Sequence, residues 1–413
     1  MRKRIACIVI VVCLLIAFGA TVTVDWLYET FGHLSMDEII FHLKVPMQGT
    51  NTDIIATFMK QCLWKVILPS AIIALALIYP MVKDIKIIHE IHTSERRKTI
   101  LVSITISILI LIISIDKILK TTDIKEYIKN QTHDSNFIAK EYVRPEKTKI
   151  EFQEEKRNLI YIFLESMETT YYSVQDGGLS QYDLMPEISK LAKENINFSD
   201  TNKLGGAYTL YGTTWTVGAM VAQTAGVPLK LSIEDNAMEE YSIFLGGAYS
   251  IGQVLQKNGY HNFLLLGSDA TFGGRKNLSE QEQPFNFTML TADTHFPDGY
   301  KCKDCPDKWD EQYITMQSNF FELEEGQDYQ KKVVNLIINP AVEPESNNRE
   351  YSTMDLYPTT LAALGANIDG NKLGLGTNLF SNEETLIEKY GLKNVNDELM
   401  KISRYYNNNI LVK

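Results

Sequence analysis

Leu159-Ile160-Tyr161-Ile162-Phe163-Leu164 is an unbroken apolar run of strand length, closed by Glu165 and Ser166. A strand with one wet face alternates polar and apolar residues, so this run predicts a strand buried on both faces, as in parallel sheets. Further strand-like runs follow at Asn262 to Leu266, Phe285 to Leu290 and Val333 to Ile338. Between them a helix is predicted from about Met185 to Asn195, where Ile188, Leu191 and Ala192 recur at helical spacing behind Pro186. Another is predicted from about Ser250 to Asn258, with Gly259 as its stop. Strands alternating with helices give an α/β domain over residues 151–413, with a mainly parallel sheet between helices.

Toward the N-terminus the pattern changes. Three apolar stretches, Ile5 to Val24, Val66 to Met81 with its flanks, and Ile100 to Ile118, each approach the roughly 20 residues that span a bilayer as a helix. Residues 1–120 are therefore expected to be a membrane domain of three transmembrane helices. A signal peptide over residues 1–24 is the alternative for the first run, which is long for a signal core. Arg2, Lys3 and Arg4 precede the first span, and Lys83, Lys86, Arg96, Arg97 and Lys98 lie between the second and third. Those clusters predict the cytoplasmic side. The loop between the first two spans carries Asp25, Glu29, Asp37, Glu38 and Asp53 against Lys44 and Lys60, and is expected outside. The expectation is a multi-pass protein of the cell membrane with its C-terminal domain extracytoplasmic. Residues 121–150, polar and without sustained apolar periodicity, read as a juxtamembrane linker.

The net charge of −11 over 413 residues argues against a nucleic-acid partner, whose footprint is basic. Cys302 and Cys305 are spaced for a local disulfide or half a metal site, and no second Cys/His pair of matching spacing follows.

Ligands of parallel sheets gather at the carboxyl ends of strands, which directs attention to Glu165, Asp269 and Asp293-Thr294-His295. Glu165 is placed either to hold a hard cation or to favour a helix start. Gly205, Gly206 and Gly212 surround Thr209, Thr213, Thr214 and Thr216, ahead of an apolar helical run from Val217 to Ala222. A threonine there serves either as a nucleophile, beside N–H groups that receive phosphoryl oxygens, or as a helix N-cap. Arg275 offers a planar fork for phosphate, and Lys276 a point charge. His133, His261 and His295 are the histidines of the outer segment, too few for an imidazole-rich two-metal site.

These motifs together resemble the lipoteichoic acid synthase and phosphoglycerol transferase branch of the alkaline phosphatase and sulfatase superfamily. Gly212-Thr213-Thr214-Trp215-Thr216 through Gly226-Val227-Pro228-Leu229 looks like its nucleophile loop, with Thr213 matched to the nucleophile. Phe163-Leu164-Glu165-Ser166 resembles the strand end whose glutamate binds manganese or magnesium. Asp293-Thr294-His295 resembles the segment supplying a substrate-binding histidine. Ser352 to Thr359 with Leu361 to Gly365 is similar to a structural helix late in the fold. The resemblance implies transfer of glycerol phosphate from a phosphatidylglycerol-type lipid to an extracytoplasmic glycopolymer or glycolipid. Catalysis would fall to Thr213, metal binding to Glu165 and Thr213, and substrate binding to His295, Asp269 and Arg275. The chain departs from the family in having no Asp-His dipeptide in its outer segment, where relatives supply two more metal ligands. A non-catalytic binding protein of the same fold is thus a second reading. A phosphate or sulfate ester hydrolase is a third, disfavoured by the lack of a C/S-x-P-x-R motif.

Overall fold

The computed structural model describes residues 2–31, 35–36, 38–40, 52–82, 93–230, 245–266, 288–291 and 332–411. The chain divides into two units, one of residues Met1–Met36 with Thr50–Ile128 and one of Asp37–Gly49 with Lys129–Lys413.

The first unit holds three helices long and apolar enough to cross a membrane: α1 (Arg2–Phe31), α2 (Thr52–Val82) and α3 (Thr93–Thr121). Pro69 and Pro80 lie inside α2 without ending it, as membrane helices tolerate. Small and branched side chains make the seam, with Ala6, Ile10, Leu14 and Ala74 buried against Ile100 and Ile104. Ser103 Oγ donates to the Leu77 carbonyl at 3.0 Å. Leu15, Ile72, Leu75, Leu109 and Ile113 face outward and are exposed, the pattern of a surface whose solvent is lipid. The chain is a membrane protein.

Two short helices, α4 (Ile124–Asn130), which straddles the division between the units, and α5 (Phe137–Glu141) in the second unit, precede β1 (Ile150–Glu151). The expected linker is therefore largely structured. Ser135 N donates to the Ile402 carbonyl at 2.7 Å, Val143 and Gly374 exchange two backbone bonds of 2.8 Å, and Ile138 is buried in the main core. Sequence reading missed this because the stretch carries few apolar anchors and its partners lie more than 200 residues away.

β2 (Tyr161–Leu164) is the strand predicted from the apolar run. α6 (Pro186–Glu194), β3 (Gly206–Tyr208), α7 (Thr216–Ala225) and α8 (Ile251–Lys257) follow, then β4 (Leu264–Leu266) and β5 (Thr288–Thr291). The sheet order is β2-β5-β4 with both pairings parallel, Leu164 opposite Thr291 and Leu266 opposite Leu290. The fold class is α/β, as expected. Ser250 caps α8 by a reciprocal box with Gln253, and Gly259 follows its end at φ +78°.

The run at Val333 behaves differently from expectation. β6 (Lys332–Val334) pairs antiparallel with β3 instead of joining the parallel sheet, and Ile337 bridges Ile196. Lys332 Nζ reaches Asp200 Oδ1 at 2.6 Å and lies 4.3 Å from the Tyr208 ring centroid, fixing that pairing. Next come α9 (Leu356–Ala363), β7 (Asn367–Ile368), β8 (Lys372–Leu373), β9 (Gly376–Thr377), α10 (Leu386–Tyr390) and α11 (Leu392–Met400). β1 pairs with β7 and β8 with β9, both antiparallel.

α9 is the late structural helix. Asp355, fully buried before it, accepts from Ser352 N at 2.7 Å, Ser352 Oγ at 2.9 Å and Thr377 N at 2.7 Å. Burial pushes its carboxyl up to about 6 against those donors. Arg349 is a second buried tie: its guanidinium grips Glu388 through two bonds of 2.9 Å and donates to the carbonyls of Leu379, Ser381 and Glu383.

Candidate active site

Glu165 occupies the first position after β2, at the carboxyl end of the parallel sheet, and is half-buried. The next residue, Ser166, has φ +57°. A left-handed serine costs about 1 kcal/mol or more and is retained where surrounding structure over-determines it, a pattern concentrated at functional sites. The chain turns sharply here instead of continuing the strand, leaving the Glu165 backbone at the sheet rim.

The threonine loop is shaped by its glycines. Gly212 has φ +77°, and a Cβ on it would approach the Leu229 carbonyl oxygen to 2.7 Å; Leu229 N donates to the Gly212 carbonyl at 2.9 Å. Gly218, in the first turn of α7, lets the helix close on that same carbonyl, which a Cβ there would meet at 2.7 Å. The loop before α7 and the Gly226 to Leu229 segment after it are thereby clasped together.

Within this clasp the two adjacent threonines have different fates. Thr213 is 1% exposed; its Oγ1 donates to the Leu210 carbonyl at 2.9 Å and accepts from Leu210 N at 2.8 Å. Its hydroxyl closes a local turn. Thr214 is half-buried, and its Oγ1 points to Glu38 Oε2 at 3.4 Å. Neither caps α7: the N-cap is Trp215, without a side-chain bond. Thr213, matched above to the nucleophile, therefore has its proton and one lone pair engaged by the Leu210 backbone, and Thr214 is the more open of the two hydroxyls. Sequence alone cannot separate two neighbouring threonines whose χ1 and exposure are set by Leu210 and by a residue 176 positions away.

α7 itself is anchored to β2. Tyr161 OH donates to Gln223 Oε1 at 2.9 Å, and Phe163 shares a buried cluster with Trp215, Val217 and Met220. From Gln223 back to Thr216 the helix runs about 10 Å. Tyr161 to Leu164 covers about the same distance.

Asp269, Arg275, Lys276, Asp293, His295, Cys302 and Cys305 lie outside the described residues, so the predicted substrate contacts and disulfide have no described geometry. Among the described residues no group of three or more His, Cys, Asp or Glu side chains is placed to hold a metal ion.

A membrane-anchored α/β protein with a threonine at a helix N-terminus and a carboxylate at the rim of a parallel sheet defines the class. No family model matches the chain. Phosphoglycerol transferase I of Escherichia coli (strain 55989 / EAEC) is 28% identical over 247 residues, covering 48% of this chain and 31% of the relative. The counterpart from Shigella boydii serotype 18 (strain CDC 3083-94 / BS512) matches equally. The chain therefore spans about a third of the length of these curated relatives. Among solved structures, the lipoteichoic acid synthase LtaP from Listeria monocytogenes superposes with a TM-score of 0.33 at 16% identity, over 59% of this chain and 80% of that one. That superposition is too loose to carry an argument. By sequence the chain is thus similar to phosphoglycerol transferases over about half of its own length.

Proposed function

We propose that the chain transfers a glycerol-phosphate group from a phosphatidylglycerol-type lipid to an extracytoplasmic glycopolymer or glycolipid, through a phosphothreonine-type intermediate. The supporting observation is the Thr214 hydroxyl at the N-terminus of α7, where the helix's leading N–H groups and its dipole favour phosphoryl oxygens. Thr213 holds the turn that presents it. Asp269, Arg275 and His295 are proposed to bind substrate from the chain following β4 and β5.

Divalent ions are common in this superfamily, and Glu165 is the ligand proposed for manganese or magnesium. The described residues do not fit a complete site, since a hard cation draws on several oxygen or nitrogen donors. The absence of an Asp-His dipeptide from the outer segment favours the second reading, a non-catalytic binding protein.

Turnover of a phosphatidylglycerol analogue by the full chain in liposomes, with manganese, magnesium or chelator, separates the two readings. Diacylglycerol release is expected, weakly dependent on metal and with poor manganese affinity by calorimetry. No release under any condition would leave the binding protein as the better account.

The same reading needs the outer unit on the lipid-donor side. A single cysteine replacing Tyr182, which is 68% exposed, is expected to react with an impermeant maleimide in intact cells. One replacing Arg96 is expected to react only after permeabilisation. The reverse pattern would remove the extracytoplasmic assignment.

A further inference from the structure

α4 stands directly beyond a membrane-length helix. The apolar run of α3 ends at Ile118 and the helix at Thr121, and Thr122 N and Thr122 Oγ1 both donate to the Ile118 carbonyl, at 2.9 and 2.8 Å. Three residues of helical rise past Ile118 are about 5 Å, and the headgroup layer on each side of a bilayer is roughly that deep. α4 begins after two further residues, Thr122 and Asp123, at the level of the headgroups. Its faces differ sharply. Tyr127 and Asn130 are buried, whereas Lys125, Ile128 and Lys129 are exposed, Ile128 by 54%. Positions i, i+3 and i+4 share one side of a helix, so these three side chains form one patch. Glu126 lies about 100° around the helix from Lys125. Among the described residues neither Lys125 nor Lys129 joins an ion pair. A single exposed isoleucine is ordinary on a protein surface. One held with two unpaired lysines at headgroup depth has the make-up of an interfacial helix, its apolar body toward acyl chains and its ammonium groups toward phosphate.

We propose that α4 rests on the bilayer that α3 crosses, with Ile128 among the outermost acyl carbons and Lys125 and Lys129 on the phosphates of anionic phospholipids. The occupant is lipid for two reasons: continuity with α3 keeps the patch at the bilayer, and its charge complements an anionic surface. α4 then fixes the level at which the following chain leaves the membrane, a second contact beyond the three spanning helices. No transfer step and no metal enters this reading, so it stands or falls apart from the proposed activity. The competing account is that Lys125 and Lys129 are simply hydrated and that the patch faces water.

The test uses the full chain, its five native cysteines replaced by alanine, in liposomes of phosphatidylcholine with or without phosphatidylserine. Ile128→Cys carries an environment-sensitive nitrobenzoxadiazole label. Its emission is expected to be blue-shifted, quenched by lipids bearing a nitroxide close to the headgroup, and little affected by aqueous iodide. The same label on Tyr182→Cys serves as the water-exposed reference and should respond to iodide. Adding Lys125→Gln and Lys129→Gln should cut the lipid quenching at position 128 by about half or more in phosphatidylserine liposomes and leave it unchanged in phosphatidylcholine alone. Iodide access at position 128 equal to that at position 182 would overturn the inference. A label that neither quencher reaches would overturn it too, since protein would then cover the patch. Lipid quenching that the lysine substitutions leave unchanged in both liposomes would overturn the phosphate contacts.

Discussion

Thr214→Ala should abolish diacylglycerol release, whereas Thr213→Ala should retain measurable turnover in whatever protein remains folded. The two substitutions remove the same atoms one position apart, so they isolate what the geometry distinguishes. Loss of an attacking hydroxyl removes the covalent route entirely and is expected to cost three orders of magnitude or more, on the order of 4 kcal/mol in transition-state stabilisation. Loss of Thr213 leaves the Leu210 N–H and carbonyl without their side-chain partner in a buried turn, a stability cost of about 1–3 kcal/mol. It should therefore appear mainly in the melting temperature and in KM. Mass spectrometry of protein quenched during turnover should find the added phosphoglyceryl mass on Thr214. The same mass on Thr213, or activity that survives Thr214→Ala, would return the role to the neighbour.

Arg349→Met should destabilise the outer unit by about 3–5 kcal/mol, because it removes a buried guanidinium from the half-buried Glu388 carboxylate and from three backbone carbonyls. For a domain of this size that is a fall in apparent Tm on the order of 10 °C. Burial works to raise the Glu388 carboxyl, but Arg349 and the N–H groups of Thr385 and Glu350 outweigh it and hold it below the usual carboxylate range. A depressed acid contributes stability that is complete above its unfolded value, about 4.3, and is lost as pH falls through the lower folded value. Removing Arg349 lets Glu388 rise, so acid unfolding should begin at higher pH. Arg404→Ala is the control: that guanidinium is 83% exposed beside Asp134 and should change little. Equal effects from both variants would mean that the buried pair has no special weight.

What could be read from the sequence was local. Six apolar residues before Glu165 identify the strand β2, although Ile160, Ile162 and Leu164 are exposed among the described residues and burial on both faces is not seen; Ser250 and Gly259 bracket α8 by capping chemistry, and the three membrane-length helices announce themselves by length. The features that escaped depend on distant partners. Val333 was strand-like, but its pairing with Gly206 to Tyr208 is decided by Lys332 reaching Asp200. Glu38 looked like one acid among several, since nothing in its neighbours marks a carboxylate that meets Thr214. The candidate site was thus legible as a loop and a strand end, while the choice of hydroxyl within the loop was not.

The stretch just after α3 carries one more consequence. Its residues 134–143 pair with Ile402 and Gly374 and bury Ile138 in the cluster that also holds Tyr406, Ile410 and Leu411. The piece of chain nearest the membrane and the last turns of the described domain are therefore one seam. A protease that sheds the domain by cutting at residue 150 would release it with an open flank, and trimming the tail after residue 400 would loosen the tether in the same way. Release intact requires a cut ahead of residue 134.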